Sequence, residues 1–176
     1  MNALDSIRKM RFTTPMVVLS AMFVGAGGFI HLREWLDVYR QVPANAPGSA
    51  VVRIGFPLNA AASLVVVIAL VLVFRRRSRL TQPVILAAIA FQAASLATLI
   101  ATRVGSVFGW SEPSWTPGAE QTRAVEAAAI IALVTLAALS RRDRTGGHFD
   151  ARDRDDLSPD IANDRDGTTI LAPIPG

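Results

Sequence analysis

Residues 64–79 read LVVVIALVLVFRRRSR. Eleven apolar side chains run without a break into four arginines spread over five residues. Upstream, no charged residue appears back to Ile54, so the uncharged block covers 54–74. A helix rises about 1.5 Å per residue, and ~20 residues cross a hydrocarbon core of ~30 Å. The block therefore predicts a membrane-spanning helix that ends in a basic collar. In lipid the backbone must satisfy its own hydrogen bonds, which makes the span helical.

Three further blocks share this pattern, at about 14–34, 83–102 and 122–140. Charge is crowded between the blocks and nearly absent inside them. An amphipathic soluble bundle would instead spread charge along one face of every helix. The expected fold class is all-α: a four-helix transmembrane bundle over 14–140, with a short cytoplasmic N-terminus (1–13). Residues 141–176 mix Arg and Asp with Gly and Pro, lack helical apolar periodicity, and are expected to form a disordered cytoplasmic tail. The first block is long for the apolar region of a signal peptide, and no A-x-A site follows it, so it is read as a retained span.

Arginine placement sets the orientation. The collars are Arg8, Lys9 and Arg11; Arg75, Arg76, Arg77 and Arg79; and Arg141, Arg142 and Arg144. All three fall on one side if four blocks are crossed. The positive-inside rule then places both termini in the cytoplasm and the 31–53 and 103–121 connections outside, in a plasma membrane. Contact with anionic headgroups is the ordinary use of the RRRSR collar, at about 1 kcal/mol per basic residue near the surface. All three Trp and the single Tyr lie in the outer connections or at their edge, where interface anchors belong.

Composition excludes several classes. There is no cysteine, so disulfides, thiol redox relays, thiolate metal sites and c-type haem attachment are ruled out. The pI near 10.9 invites a nucleic-acid reading. That reading is rejected because the basic residues are short collars beside apolar blocks. Residues 141–176 hold six Arg and eight Asp, so the net +4 is an excess carried by the rest of the chain. Every basic residue except Lys9 is arginine, which with abundant Ala, Val and Gly suggests a GC-rich bacterial genome.

Polar groups inside the spans are costly, about 2.5–3.5 kcal/mol for an ionisable residue at the centre and less near the interface. They gather toward the outer end, and the candidate pocket is His31, Glu34, Tyr39, Asn59, Arg103 and Glu126. His31 and Glu34 are three residues apart and are expected to share a helix face. Asn59 lies about 9 Å inside Arg53, and Glu126 about 4–5 Å inside Arg123. A carboxylate at that depth calls for a cation, and His31, Arg53 and Arg103 match its level. Gln92, Ser95, Thr98, Thr102 and Ser106 form a polar stripe rising up the third span. Small residues mark expected helix contacts: Gly25, Gly27 and Gly28 in the first span, Ala87, Ala88, Ala90, Ala93, Ala94 and Ala97 in the third, and Ala124, Ala127, Ala128, Ala129 and Ala132 in the fourth.

No cofactor is expected. Haem held between helices needs two axial ligands, and the second histidine, His148, sits in the tail. His31, Glu34 and Glu126 suit a divalent ion in donor chemistry but lack metal-site spacing, and no metal is assigned. Glu126 as a protonated carrier remains a chemical option, although nothing marks a substrate path.

The layout of four short spans with both ends inside resembles the small four-helix bacterial membrane proteins of the DoxX-like kind, across about residues 12–140. The run HLREWLDVYRQVP followed by RIGFPLNA looks like the H…Y…P…G…N arrangement of uncharacterised small membrane proteins. The matching positions are His31, Tyr39, Pro43, Gly55 and Asn59. Such proteins mostly carry no assigned activity. The expected function is a multi-pass plasma-membrane protein acting without catalysis as an accessory or interaction component. The alternative is a carrier or enzyme-like protein using His31 and Glu126. Expected partners are the lipid bilayer and another membrane protein or a second copy, with no nucleic acid.

Overall fold

In the computed structural model the backbone is described for residues 3–76 and 78–156, and side chains for 13–76 and 78–141. The described residues form four helices: α1 (Ala3–Asp37), α2 (Ser49–Arg75), α3 (Thr81–Val104) and α4 (Pro117–Asp156). A short 3-10 turn, Tyr39–Gln41, follows α1. All four helices contain a stretch long and apolar enough to cross a membrane. The chain is a membrane-embedded all-α bundle. The backbone of α4 stays helical to Asp156, past its span. The tail expectation for 157–176, and the side chains of Arg8, Lys9, Arg11, Arg77, Arg142 and Arg144, lie outside the described residues.

The helices overrun the apolar blocks because lipid selects the blocks and capping selects the ends. For α4, the Thr116 hydroxyl accepts the Ala119 N–H at 3.2 Å, and Pro117 occupies the first helical position, where its missing N–H costs nothing. This moves the helix start five residues ahead of the expected 122. Pro57 sits inside α2 and supplies no N–H to the carbonyl four residues back, on Arg53. The Trp35 indole takes that carbonyl instead, donating at 3.0 Å. The proline thus creates an acceptor, and the end of α1 is tied to α2 through it.

α1 packs on α2 and α4, α3 packs on α4, and α2 meets α3 more lightly. Toward the arginine end Val17, Val24, Leu70, Ile85, Ala88, Ala129, Leu133, Leu136 and Ala137 form one buried apolar cluster, with Ser20, Thr81 and Ser140 also buried in this half. Buried positions on α4 follow a three-four spacing, 119, 122, 126, 129, 133, 136 and 140. Large apolar side chains such as Met22, Phe29, Leu58, Leu64, Val65 and Ile131 point outward, as lipid permits.

The small-residue expectation needs correction on α3. Ala88 is buried, but Ala87, Ala90, Ala93, Ala94 and Ala97 are exposed. Alanine is spread around α3, so its presence did not identify a face. The buried stripe follows Thr81, Ile85, Ala88, Gln92 and Thr102 instead. On α1 the expectation holds for Gly27 and Gly28, both buried. A Cβ on Gly28 would lie 2.6 Å from the Ser63 Cβ, so α1 and α2 reach their spacing only with glycine there.

Gly28→Ala is expected to destabilise the bundle by about 1–3 kcal/mol, the usual cost of overpacking. Gly55 has open space around it. Gly55→Ala should be neutral or stabilising by up to about 1 kcal/mol through helix propensity. Denaturant titration of the two variants in detergent checks the contrast.

Candidate functional site at the His31 end

His31 on α1 and Glu126 on α4 meet at 3.0 Å between Nε2 and Oε1. Ser95 on α3 donates to the same carboxylate oxygen at 2.5 Å. Asn59 on α2 donates its amide N–H to Ser95 Oγ at 2.7 Å, and Ser63 Oγ lies 3.4 Å from Asn59 Oδ1. Each of the four helices contributes to one network. Glu126 is 0 % exposed and His31 7 %. Of the cations considered for Glu126, His31 is the one in contact. Arg53 donates to the Val42 carbonyl at 2.9 Å, and Arg103 pairs with Glu112 at 3.2 Å.

Helical spacing explains the convergence. Asn59 and Ser63 are four apart, and Gln92 and Ser95 three apart, so each pair shares a face. Glu126 lies on the buried stripe of α4. Gly27 leaves space beside Gln92 and Val125. Three buried atoms here have no hydrogen-bond partner among the described residues: Glu126 Oε2, His31 Nδ1 and Gln92 Nε2.

The other candidates go elsewhere. Tyr39 is buried and donates to Glu112 Oε2 at 2.7 Å. Arg103 holds the same carboxylate and also donates to the Glu112 carbonyl. Trp115 lies under two guanidinium groups, Arg103 at 5.6 Å and Arg123 at 4.9 Å. Glu34 does not join His31, despite the spacing of three. Its carboxylate rests against Gly118 in the first turn of α4, where a Cβ would collide with it. Three residues subtend about 300° of helix, so the two side chains are offset by about 60°, enough to place one inside and the other at the rim. Glu112, Phe56 and Gly118 were missed from sequence. Glu112 lies in an aromatic, proline-rich loop with no periodicity to assign its direction.

The two long connections form a cap. Val107 and Trp110 exchange backbone hydrogen bonds at 2.8 and 2.9 Å. Between them Phe108 (φ 48°) and Gly109 (φ 85°) make a type I′ turn. Gly48 (φ 69°) packs directly on the Gly109–Trp110 peptide and leaves no room for a side chain. Tyr39 stacks at 4.3 Å on Phe56 and edge-on at 6.2 Å to Trp110. Phe108 is 89 % exposed at the tip. An open cleft of about 250 Å³ lies at this end. Its lining includes Arg33, Glu34, Tyr39, Glu112, Gly118 and Gln121, but neither His31 nor Glu126. Among the described residues no group of three or more His, Cys, Asp or Glu could hold a metal.

Comparison with protein-family models, curated proteins and solved structures finds no match to this chain.

Removing Glu126 leaves a buried histidine and a buried serine without their acceptor. Glu126→Ala should cost about 3 kcal/mol or more, as breaking a buried pair does. Ser95→Ala removes one interhelical hydrogen bond and should cost about 0.6–1.7 kcal/mol. Unfolding free energies in detergent decide the ranking, and equal losses would contradict it.

Proposed function

We propose that this chain is a small multi-pass plasma-membrane protein that works without catalysis, as an accessory or interaction component. The observation that carries this reading is the interhelical polar network. His31 Nε2, Asn59, Ser95 and Glu126 Oε1 bond to one another across four helices, away from the open cleft. A network built this way sets helix positions. The cap and the exposed side of α3 offer surfaces to a second membrane protein or a second copy of the chain. The 3.0 Å approach of His31 to Glu126 favours the alternative, a carrier or enzyme-like protein, while the burial of both residues counts against it.

The orientation proposed has both termini in the cytoplasm. In support, Arg75, Arg76, Arg79 and Arg141 lie at one end of the spans, and Trp35, Tyr39, Trp110 and Trp115 at the other. The absence of native cysteine makes a direct test clean. Ser114→Cys should react with a membrane-impermeant maleimide on intact cells, and Leu80→Cys only after permeabilisation. The reverse pattern would overturn the topology.

The accessory role is tested by crosslinking in native membranes followed by purification, with the full chain and with residues 157–176 removed. A defined membrane-protein partner is expected with the full chain. Solute transport by the purified protein alone, lost in Glu126→Gln, would replace this reading with the carrier.

A further inference from the structure

The hydrogen-bond directions in the buried network are constrained. Oδ1 of Asn59 faces the Ser63 hydroxyl and Nδ2 faces the Ser95 hydroxyl; either hydroxyl could serve either end of the amide, and the ionised Glu126 carboxylate, which needs the Ser95 proton, selects this orientation. An amide nitrogen can only donate, so Ser95 Oγ accepts. The single Ser95 hydroxyl proton then goes to Glu126 Oε1. That oxygen also faces His31 Nε2. Oε1 therefore has two neighbours, while Oε2 of the same carboxyl has none. The imidazole repeats the asymmetry, with Nε2 engaged and Nδ1 without a partner.

We infer that the His31–Glu126 pair is an exchangeable proton-binding site that lies nearer the capped end of the bundle and has no titratable relay toward the arginine end. The step balances as follows. With Nε2 protonated and Glu126 ionised, the pair carries one negative charge. A proton arriving at Nδ1 forms an N–H bond there and makes an imidazolium–carboxylate pair. The Nε2–H bond then breaks as an O–H bond forms on Glu126, and the imidazole is left neutral with its proton on Nδ1. One proton has been bound, the net negative charge is gone, and the heavy atoms keep their positions.

Surrounding groups distinguish the two directions. Toward the cap, the edge of Phe56 meets the His31 ring at 5.1 Å, and Tyr39 stacks on Phe56 at 4.3 Å. Tyr39 itself lines the open cleft. In the other direction stand Gln92 and then Val24, Ile85, Leu133, Leu136 and Leu70. The sequence holds no ionisable residue from Thr13 to Ile30, from Ile54 to Phe74, from Leu80 to Thr102, or from Ala127 to Ser140. A proton on Glu126 thus has no titratable relay onward. The next charged side chains on the four helices are Arg33 and Glu34, Arg53, Arg103 and Arg123. Arg33 pairs with Asp37, Glu34 lies against Gly118, Arg53 is bonded to Val42, Arg103 to Glu112, and Arg123 to Glu120. Proton binding is independent of the accessory reading, and either can fail alone.

Infrared difference spectroscopy on the full chain in liposomes tests this. Acidifying the medium should raise a carboxylic-acid C=O band that is lost in Glu126→Gln. Its acid-to-carboxylate ratio should change about tenfold per pH unit, as for any single-proton equilibrium. Ser95→Ala keeps the carboxyl and removes its donor, so the same band should shift in frequency. That variant, with carboxyl-labelled glutamate, serves if Glu126→Gln does not fold. A band that ignores pH, a band that persists in Glu126→Gln, or the absence of any band would overturn the assignment. A proton flux through wild-type vesicles that disappears in Glu126→Gln would overturn the lack of a relay toward the arginine end.

Discussion

Glu126 has no exposed surface and lies in a helix that lipid surrounds, so its carboxyl must find partners inside the protein. That single requirement organises the capped half of the bundle. His31 must come from α1, Ser95 from α3, and Asn59 from α2 to hold Ser95 in place. The helices can approach closely enough because Gly28 presents no side chain to Ser63. In water the same carboxylate would be solvated and would impose little. In a low-dielectric interior, an unmet polar group is costly enough to choose helix rotations.

The cap follows from a related constraint on backbone groups. Pro57 leaves the Arg53 carbonyl without its helical donor, and Trp35 supplies one. The Arg53 side chain in turn donates to Val42 at the foot of the first connection. Gly48 and Gly109 bring the two connections into backbone contact, and Glu112 joins Tyr39 to Arg103 beneath them. Phe108 is held at positive φ, a cost that a non-glycine residue bears only when its surroundings determine the turn. The reciprocal Val107–Trp110 bonds hold the backbone of this turn.

The two ends of the bundle differ in kind. Toward the arginines the interior is mostly Leu, Ile, Val and Ala, with Ser20, Thr81 and Ser140 the buried polar side chains among the described residues there. Toward the cap it is hydrogen-bonded and carries unpartnered buried atoms on His31, Gln92 and Glu126. The ionisable groups of the interior are confined to the capped half, since the spans carry none toward the arginines.

Four spans, their helical state and the identity of most costly polar groups were legible in the chain because hydrocarbon thickness and hydration penalties act on local composition. The shared face of Gln92 and Ser95 on the third span could be read from spacing alone. Which polar groups met could not. His31, Arg53 and Arg103 were equivalent partners for Glu126 by depth, and rotation of the helices about their axes chose His31. The same rotations turned most alanines of α3 outward and parted Glu34 from His31. Depth in the membrane is a one-dimensional property that sequence position encodes. Azimuth is settled by long-range packing, where a bare Gly28, a proline-freed carbonyl and one buried carboxylate together outweigh any local preference.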